Sequence, residues 1–389
     1  MYKKLAFYYH IPVWKNGNDL FISSFLGVFI DSLASEVDIL YLCLHEIIDK
    51  GEADYKIKSR NIKFVTLGFK TPAWHRMIFN RKILKTKLEK LDHVDCFIVR
   101  SPSPLAPFFH RYFPPAKIAY LVVGDYLEGK NQMKINSIRT FLISKLLIVN
   151  NLLFLKQLKW SLVLVNSPAL FNKYENISKR IEQIKTTTLS KNDFHERNDT
   201  CNGNIIKLLY TGRIDTAKGL FELVEALGLL NKDGIKFKLD IVGWESDKNE
   251  PLKEKLIKLS ETIGQKDNLL FHKKMSVGQE LNRMYKQADI YILPSYHEGF
   301  PRTIWEAMAN SCPVIATKVG SIPFFLKNNQ DAILIEPKNI GQIVDAINNL
   351  VKNPNLRKQI LKNGYLLAQS NTLEIQTKIL VETIYSVNV

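Results

Sequence analysis

Residues 289–309 read DIYILPSYHEGFPRTIWEAMA, and this stretch decides the fold. Residues 289–293 are a short β-branched apolar run, the composition of a strand buried on both faces. Pro294 ends the run. A loop follows with His297, Glu298, Gly299, Phe300 and Pro301, and helical spacing begins near Thr303. A strand that passes through a short loop into a helix is one half of a βαβ unit, the building block of parallel sheets.

The same alternation extends in both directions. In the second half strands are expected near 206–211, 237–242, 268–272, 289–293, 313–316 and 332–335. Helices are expected near 219–231, 251–263, 277–287 and 303–311, then 340–352 and a broken 355–385. In the first half strands are expected near 4–10, 37–44, 62–68, 95–100, 117–123 and 162–166, with helices at 19–34, 76–91 and 136–158. Between the halves the polar run 185–204 carries Asn202-Gly203 and reads as a linker. The chain therefore reads as α/β, with two doubly wound, Rossmann-like domains facing a cleft. These are an N-terminal domain 1–190, a second domain 191–370, and a last helix 371–389 returning to the first domain. In such folds ligands sit beyond the carboxyl ends of the strands.

A length of 389 residues and 46% apolar content suit two globular domains. The net charge of +16 is uneven: residues 1–190 hold 28 Lys/Arg against 15 Asp/Glu, the remainder 26 against 23. A basic half suits anionic lipid or a phosphorylated substrate; nucleic acid lacks any supporting motif. The four cysteines are dispersed and form neither a CxxC pair nor a disulfide framework, which fits a reducing cytosol. The N-terminus lacks a signal-peptide pattern. Residues 140–155 are apolar but short for a span and contain Lys145, Asn150 and Asn151, so they read as a core helix or one lying on a membrane surface. The basic stretch 74–90 reads as an amphipathic helix, against its own sheet or an anionic membrane.

Two segments could carry chemistry. At 208–219, LLYTGRIDTAKG, a strand ends at Tyr210, Gly212 turns, and Arg213 is followed by Lys218 and Gly219 at a helix start. Two cations beside a helix N-terminus attract phosphate. It is not a Walker loop, because GxxxxGK[ST] is absent. At 295–309 the loop holds Glu298 and the first helical turn carries Glu306. Carboxylates suit sugar hydroxyls through short charge-assisted hydrogen bonds, and the Gly299–Phe300 backbone and the helix start near Thr303 can donate to oxygens. Taken singly, each glutamate is equally a solvated loop charge or a helix-dipole partner.

Together the segments 212–219 and 298–309 resemble the two hallmark segments of retaining glycosyltransferases of family four, with the GT-B fold. Glu298 and Glu306 match its Glu-x7-Glu spacing, and CPVIATKVGSIPFFL at 312–326 resembles its continuation. The resemblance is specific over 205–350 and architectural over 1–190; it implies that 1–190 is the acceptor-side domain and 191–370 the nucleotide-sugar-binding domain. It implies Arg213 and Lys218 on the donor diphosphate, Glu298 on the transferred sugar, Glu306 on the ribose, and the backbone of Gly299, Phe300 and Pro301 on sugar and phosphate, with Gly212 and Thr303 beside them. It implies an early glycine-rich loop, here Gly17, Asn18 and Asp19; Asp19 is equally a helix cap. It implies a donor-sugar contact where relatives carry His-Asp and this chain has Gly124-Asp125, and a base-facing segment where it has Trp244, His272, Lys273 and Lys274. Arg213, Lys218, Glu298 and Asp125 form the expected catalytic set. The reaction expected is retaining transfer from a nucleotide-diphosphate sugar to a glycan or lipid-linked acceptor, in surface polysaccharide or lipopolysaccharide synthesis. It would need no metal or other cofactor and would run in the cytoplasm or at the inner face of the membrane. The alternatives are an inactive nucleotide-sugar-binding subunit, or another enzyme of this fold such as an epimerase.

Overall fold

A computed structural model describes residues 2–387 except 80, 92, 126, 128–136, 233, 246 and 248, and leaves undescribed the side chains of 81, 82, 231, 232 and 387. The positions following Asp125 in the segment that replaces the His-Asp pair thus lie largely outside the described residues. The chain divides into unit 1, residues 1–186 with 373–389, and unit 2, residues 187–372.

Unit 1 contains strands β1 (Lys4–Tyr8), β2 (Val13–Asn16), β3 (Asp19–Ile22), β4 (Ile39–Ile47), β5 (Tyr55–Lys56), β6 (Ile62–Phe69), β7 (Cys96–Ser101), β8 (Ile118–Val122), β9 (Leu162–Val165) and β10 (Ile181–Gln183). They form one sheet in the order β10-β9-β8-β7-β1-β4-β2-β3-β5, with β6 also on β4. The β1, β4, β6, β7, β8 and β9 ladders are parallel. Alternate residues of β1 enter opposite cores: Ala6 and Tyr8 in one, Leu5 and Phe7 in the other. Burial on both faces is why these strands are apolar throughout. The helix Leu373–Val387 closes the second core with Leu380, Val381 and Ile384. Tyr385 donates to Asp95 at 2.8 Å, and Thr377 bonds Ser32.

One expected helix is corrected. Residues 19–34 open as a hairpin, not a helix: Asn16 pairs with Asp19 across a Gly17-Asn18 turn, and the helix starts only at Ser24. Alternating Val13, Trp14, Leu20 and Phe21 close this ribbon, with Trp14 against Phe21 at 5.2 Å. Asp19 is therefore no helix cap; it pairs with Lys56 at 2.6 Å.

Unit 2 contains β11 (Ile206–Ile214), β12 (Phe237–Glu245), β13 (Leu269–His272), β14 (Ile290–Leu293), β15 (Val314–Thr317) and β16 (Ile333–Ile335). Their order is β13-β12-β11-β14-β15-β16, parallel at every pair. The chain builds outward from β11 to β13, then returns to add β14 on the other side. The carboxyl ends of β11 and β14 are thus a topological switch point, where open α/β sheets bind ligands. β11 also runs on past the expected end at Tyr210, so Gly212 and Arg213 lie in the strand, paired with Gly243 and Trp244 of β12.

The expected linker is corrected too. From Thr187 the polar run belongs to unit 2 and spends its polar groups on internal hydrogen bonds. Arg197 donates to the carbonyls of Ala288 and Ser311 at 2.8 and 3.0 Å. Asp199 accepts from Arg357 Nε and Nη2 at 2.6 and 2.9 Å, and Arg357 Nη1 donates to Leu350 O. The Arg357 side chain is 4% exposed. Removing one partner of a buried pair strands the other charge, at a cost of about 3 kcal/mol. Asp199→Ala should therefore destabilise unit 2 by about that amount, read as a lower urea midpoint; an unchanged midpoint would mean that the pair contributes nothing.

Candidate functional site

The site is built where β11 and β14 end. After β11, Asp215 caps a single turn at Thr216–Lys218 by accepting from the Ala217 N–H at 2.9 Å. Gly219 then turns left-handed, with φ 64°, into the helix Leu220–Lys232. A Cβ on Gly219 would stand 2.1 Å from Pro294 O. Only glycine lets this turn press against the end of β14, and Tyr296 N–H donating to Ala217 O at 2.8 Å fastens it there.

That closeness brings the two segments together. Lys218 Nζ lies 2.5 Å from Glu298 Oε1, with side chains 16% and 11% exposed. A cation and a carboxylate 80 positions apart in sequence thus form one partly buried ion pair. The Glu298 loop is gripped from its other side by the turn after β15. Ser321 N–H donates to Gly299 O at 2.9 Å. Gly320 has φ 57°, and a Cβ there would stand 1.7 Å from Glu298 O. Gly320 and Ser321 were not among the expected site residues. The quoted 312–326 segment did hold the signal, a glycine just past a strand.

Arg213 is exposed, and among the described residues its guanidinium has no hydrogen bond or ion pair; its carbonyl accepts from Tyr210 OH at 2.7 Å. The helix Arg302–Ala309 starts after Pro301 without a side-chain cap, and its Ile304 N–H donates to Pro301 O at 3.2 Å. Gly299 and His297 are exposed, whereas the Phe300 ring stacks on Trp305 at 4.6 Å and anchors the loop to the core. Thr303 accepts from Tyr291 OH at 2.7 Å.

Glu306 is deeper than its spacing suggested. It is 5% exposed; Oε1 accepts from Thr188 at 2.6 Å and Oε2 from Tyr285 OH at 3.0 Å. Thr211 bonds Tyr285 OH in turn at 2.7 Å. Burial, followed by the Glu306 charge, holds the Tyr285 phenol well above its usual range, so it stays a donor. Each carboxylate oxygen keeps a second lone pair, but the group is first a clamp joining β11, the helix Gln279–Gln287 and the helix Arg302–Ala309. Thr188 lay in the expected linker, and nothing in composition singled it out.

The remaining expected residues stand apart from this pair. Lys274 is exposed, with its ammonium 4.8 Å from the Trp244 ring centre, and His272 bonds Asp240 at 2.5 Å. In unit 1, Gly17 and Asn18 are the exposed tip of the β2–β3 hairpin. Asp125 pairs with Lys173 at 2.8 Å. Burial alone would raise its carboxyl, but hydrogen bonds from Lys173 and the Leu127 N–H outweigh it and hold it below the usual range. Among the described residues no group of three or more His, Cys, Asp or Glu could hold a metal ion.

Gly320→Ala should displace the Glu298–Gly299 backbone and break the 2.5 Å pair while leaving the sheet intact. A crystal structure of the variant with Lys218 and Glu298 still paired would refute the role given to Gly320.

The family model for glycosyl transferases group 1 matches residues 191–367. Protein CapJ of Staphylococcus aureus is 24% identical over 343 residues, 85% of this chain and 81% of CapJ. The capsular polysaccharide biosynthesis glycosyltransferase CapM of Staphylococcus aureus is 26% identical over 183 residues, 47% of this chain but only 46% of CapM. The structure of Anabaena Alr3699/HepE in complex with UDP matches with TM-score 0.71 at 15% identity, covering 99% of this chain and 100% of that one. At that identity the likeness carries the fold, which is GT-B. The match to glycosyl transferases group 1 thus falls within the second unit, residues 187–372.

Proposed function

We propose that the protein transfers a sugar, with retention of configuration, from a nucleotide-diphosphate sugar to a glycan or lipid-linked acceptor. The observation that carries this reading is the Lys218–Glu298 pair at the switch point of unit 2. Phosphate needs fixed positive charge and open N–H groups; a sugar needs a carboxylate. Here both meet in one contact. The donor would divide it, the ammonium turning to the diphosphate and the carboxylate to sugar hydroxyls.

Breaking the anomeric C–O bond leaves negative charge on the diphosphate. Arg213, Lys218 and the uncapped helix start near Thr303 would stabilise that charge as it grows. On the retaining route we favour, a leaving phosphate oxygen accepts the acceptor proton, so no separate protein base is required. Glu306 would meet the ribose through its spare lone pairs while its clamp holds the loop and helix in register. Asp125, tied to Lys173, would take the donor-sugar contact that the resemblance implies for it. Lys274 on Trp244 would border the base. Gly17, Asn18 and Asp19 would form the rim of unit 1.

Surface polysaccharide synthesis is the setting that CapM's description supports. A peripheral membrane position rests on the helix Ile138–Leu158. It is long and apolar enough to cross a membrane. Yet Asn150 and Asn151 are buried against unit 1, while Ile138, Leu142, Val149 and Leu152 are exposed. With Lys145 and Lys156 beside them, these side chains suit the surface of an anionic, cytoplasm-facing leaflet better than a span.

Glu298→Ala should cut sugar transfer more than about tenfold with unchanged circular dichroism, and near-normal transfer would remove it from the site. Arg213→Ala should weaken nucleoside-diphosphate binding by about tenfold, or ~1.4 kcal/mol, in a calorimetric titration; equal affinity would remove Arg213 from the diphosphate.

A further inference from the structure

Unit 1 gathers basic side chains that the donor site does not use, at the switch point of its own sheet. Its order reverses between β1 and β7. His10 follows β1, Lys70 follows β6, and Arg100 is the next-to-last residue of β7. His45 lies at the register shift near the end of β4, an irregularity that re-aims a side chain. Arg76, on the helix Ala73–Phe79, completes the set: its charge acts on His10, His45 and Lys70 alike.

Two members are buried guanidiniums. Arg76 is 4% exposed and Arg100 8%. Arg100 lies over the Tyr9 and Phe29 rings at 5.0 and 5.6 Å. Arg76 has less: among the described residues no carboxylate faces it, and its Nε and Nη1 have no hydrogen-bond partner. The fully buried His45 is similar; Nδ1 stands 3.3 Å from Gly68 O, and Nε2 has no partner among the described residues. Burial first, and the Arg76 charge second, push both His10 and His45 down to about 4, so both are neutral near pH 7.

Packing does not account for this. A buried guanidinium without an acceptor is costly, and an apolar side chain of similar volume would pack there without that cost. Helix, strands and loop supply donors from several directions. That suits the three oxygens of a tetrahedral group; a planar carboxylate is satisfied by one arginine fork. Beside the cluster opens a cavity of about 560 Å³, lined by Ile11 and Phe69, by Lys70, and by the acidic Glu46, Asp49 and Glu52. Apolar walls with several carboxylates suit a sugar ring and its hydroxyls rather than a second anion.

We infer that the carboxyl end of the unit 1 sheet holds a phosphoryl-binding site centred on Arg76, and that the acceptor is a phosphorylated saccharide. The acceptor role rests on the transfer proposed above; the binding itself does not. The test uses the full chain, with inorganic phosphate as probe in a thermal-shift titration. Phosphate should raise the melting point of the wild type and of Arg213→Ala alike. Arg76→Met should melt higher than the wild type in phosphate-free buffer, because an unpaired buried charge is gone. It should lose at least tenfold in phosphate affinity while binding nucleoside diphosphate as before. His45→Gln should retain the fold and weaken phosphate by a smaller factor. A phosphate response kept in Arg76→Met overturns the proposal. So does an Arg76→Met that melts lower and loses nucleoside diphosphate, since the arginine would then be structural. A wild type that binds nucleoside diphosphate but not phosphate overturns this site and leaves the donor reading standing.

Discussion

The contact between Lys218 and Glu298 is what the rest of unit 2 is arranged to make. It needs β11 and β14 side by side although 75 residues lie between the end of one and the start of the other, which the order β13-β12-β11-β14-β15-β16 provides. It needs the Lys218 turn pressed to the end of β14, which Gly219 permits, and the Glu298 loop held from behind, which Gly320 and Ser321 provide. It also needs the following helix fixed in depth. Glu306 does that by accepting from Thr188 and Tyr285 inside the unit. The two glutamates thus have opposite environments: one at the surface of the switch point beside a cation, the other sealed among hydroxyl donors.

Unit 1 repeats the sheet logic with a different charge pattern. At its switch point the cations Arg76 and Arg100 are buried without opposing carboxylates among the described residues, whereas in unit 2 the comparable lysine already has its glutamate. A site that pairs its own charges is stable empty and yields them to a ligand by exchange. A site that leaves them unpaired gives up stability when empty and recovers it on binding. The two units therefore differ in how they hold charge at their switch points.

The alternation of apolar runs and helical stretches was legible in the sequence because strands buried on both faces must be apolar throughout, as at 206–211 and 289–293. The meeting of the Lys218 and Glu298 segments was legible because both follow strands that end at the same edge of the sheet. What stayed hidden shares a cause: polarity says that a group needs a partner, not whether that partner is water or protein. Residues 187–200 looked like a linker, yet Thr188, Arg197 and Asp199 bond inward. Arg76 looked like part of a solvated or membrane-facing basic helix, yet it is buried. The β2–β3 hairpin was missed because two four-residue strands give too little period-two signal beside a long apolar helix.

The claim that the donor divides the Lys218–Glu298 pair makes the two residues act oppositely on a bare nucleoside diphosphate. Calorimetric titration of UDP, GDP and ADP into Lys218→Met and Glu298→Gln measures this directly. The account predicts that Lys218→Met binds at least about tenfold more weakly, whereas Glu298→Gln, its lysine released, binds at least as tightly as the wild type. Equal losses in both variants would contradict it, since the carboxylate would then hold the diphosphate site together instead of competing for its lysine.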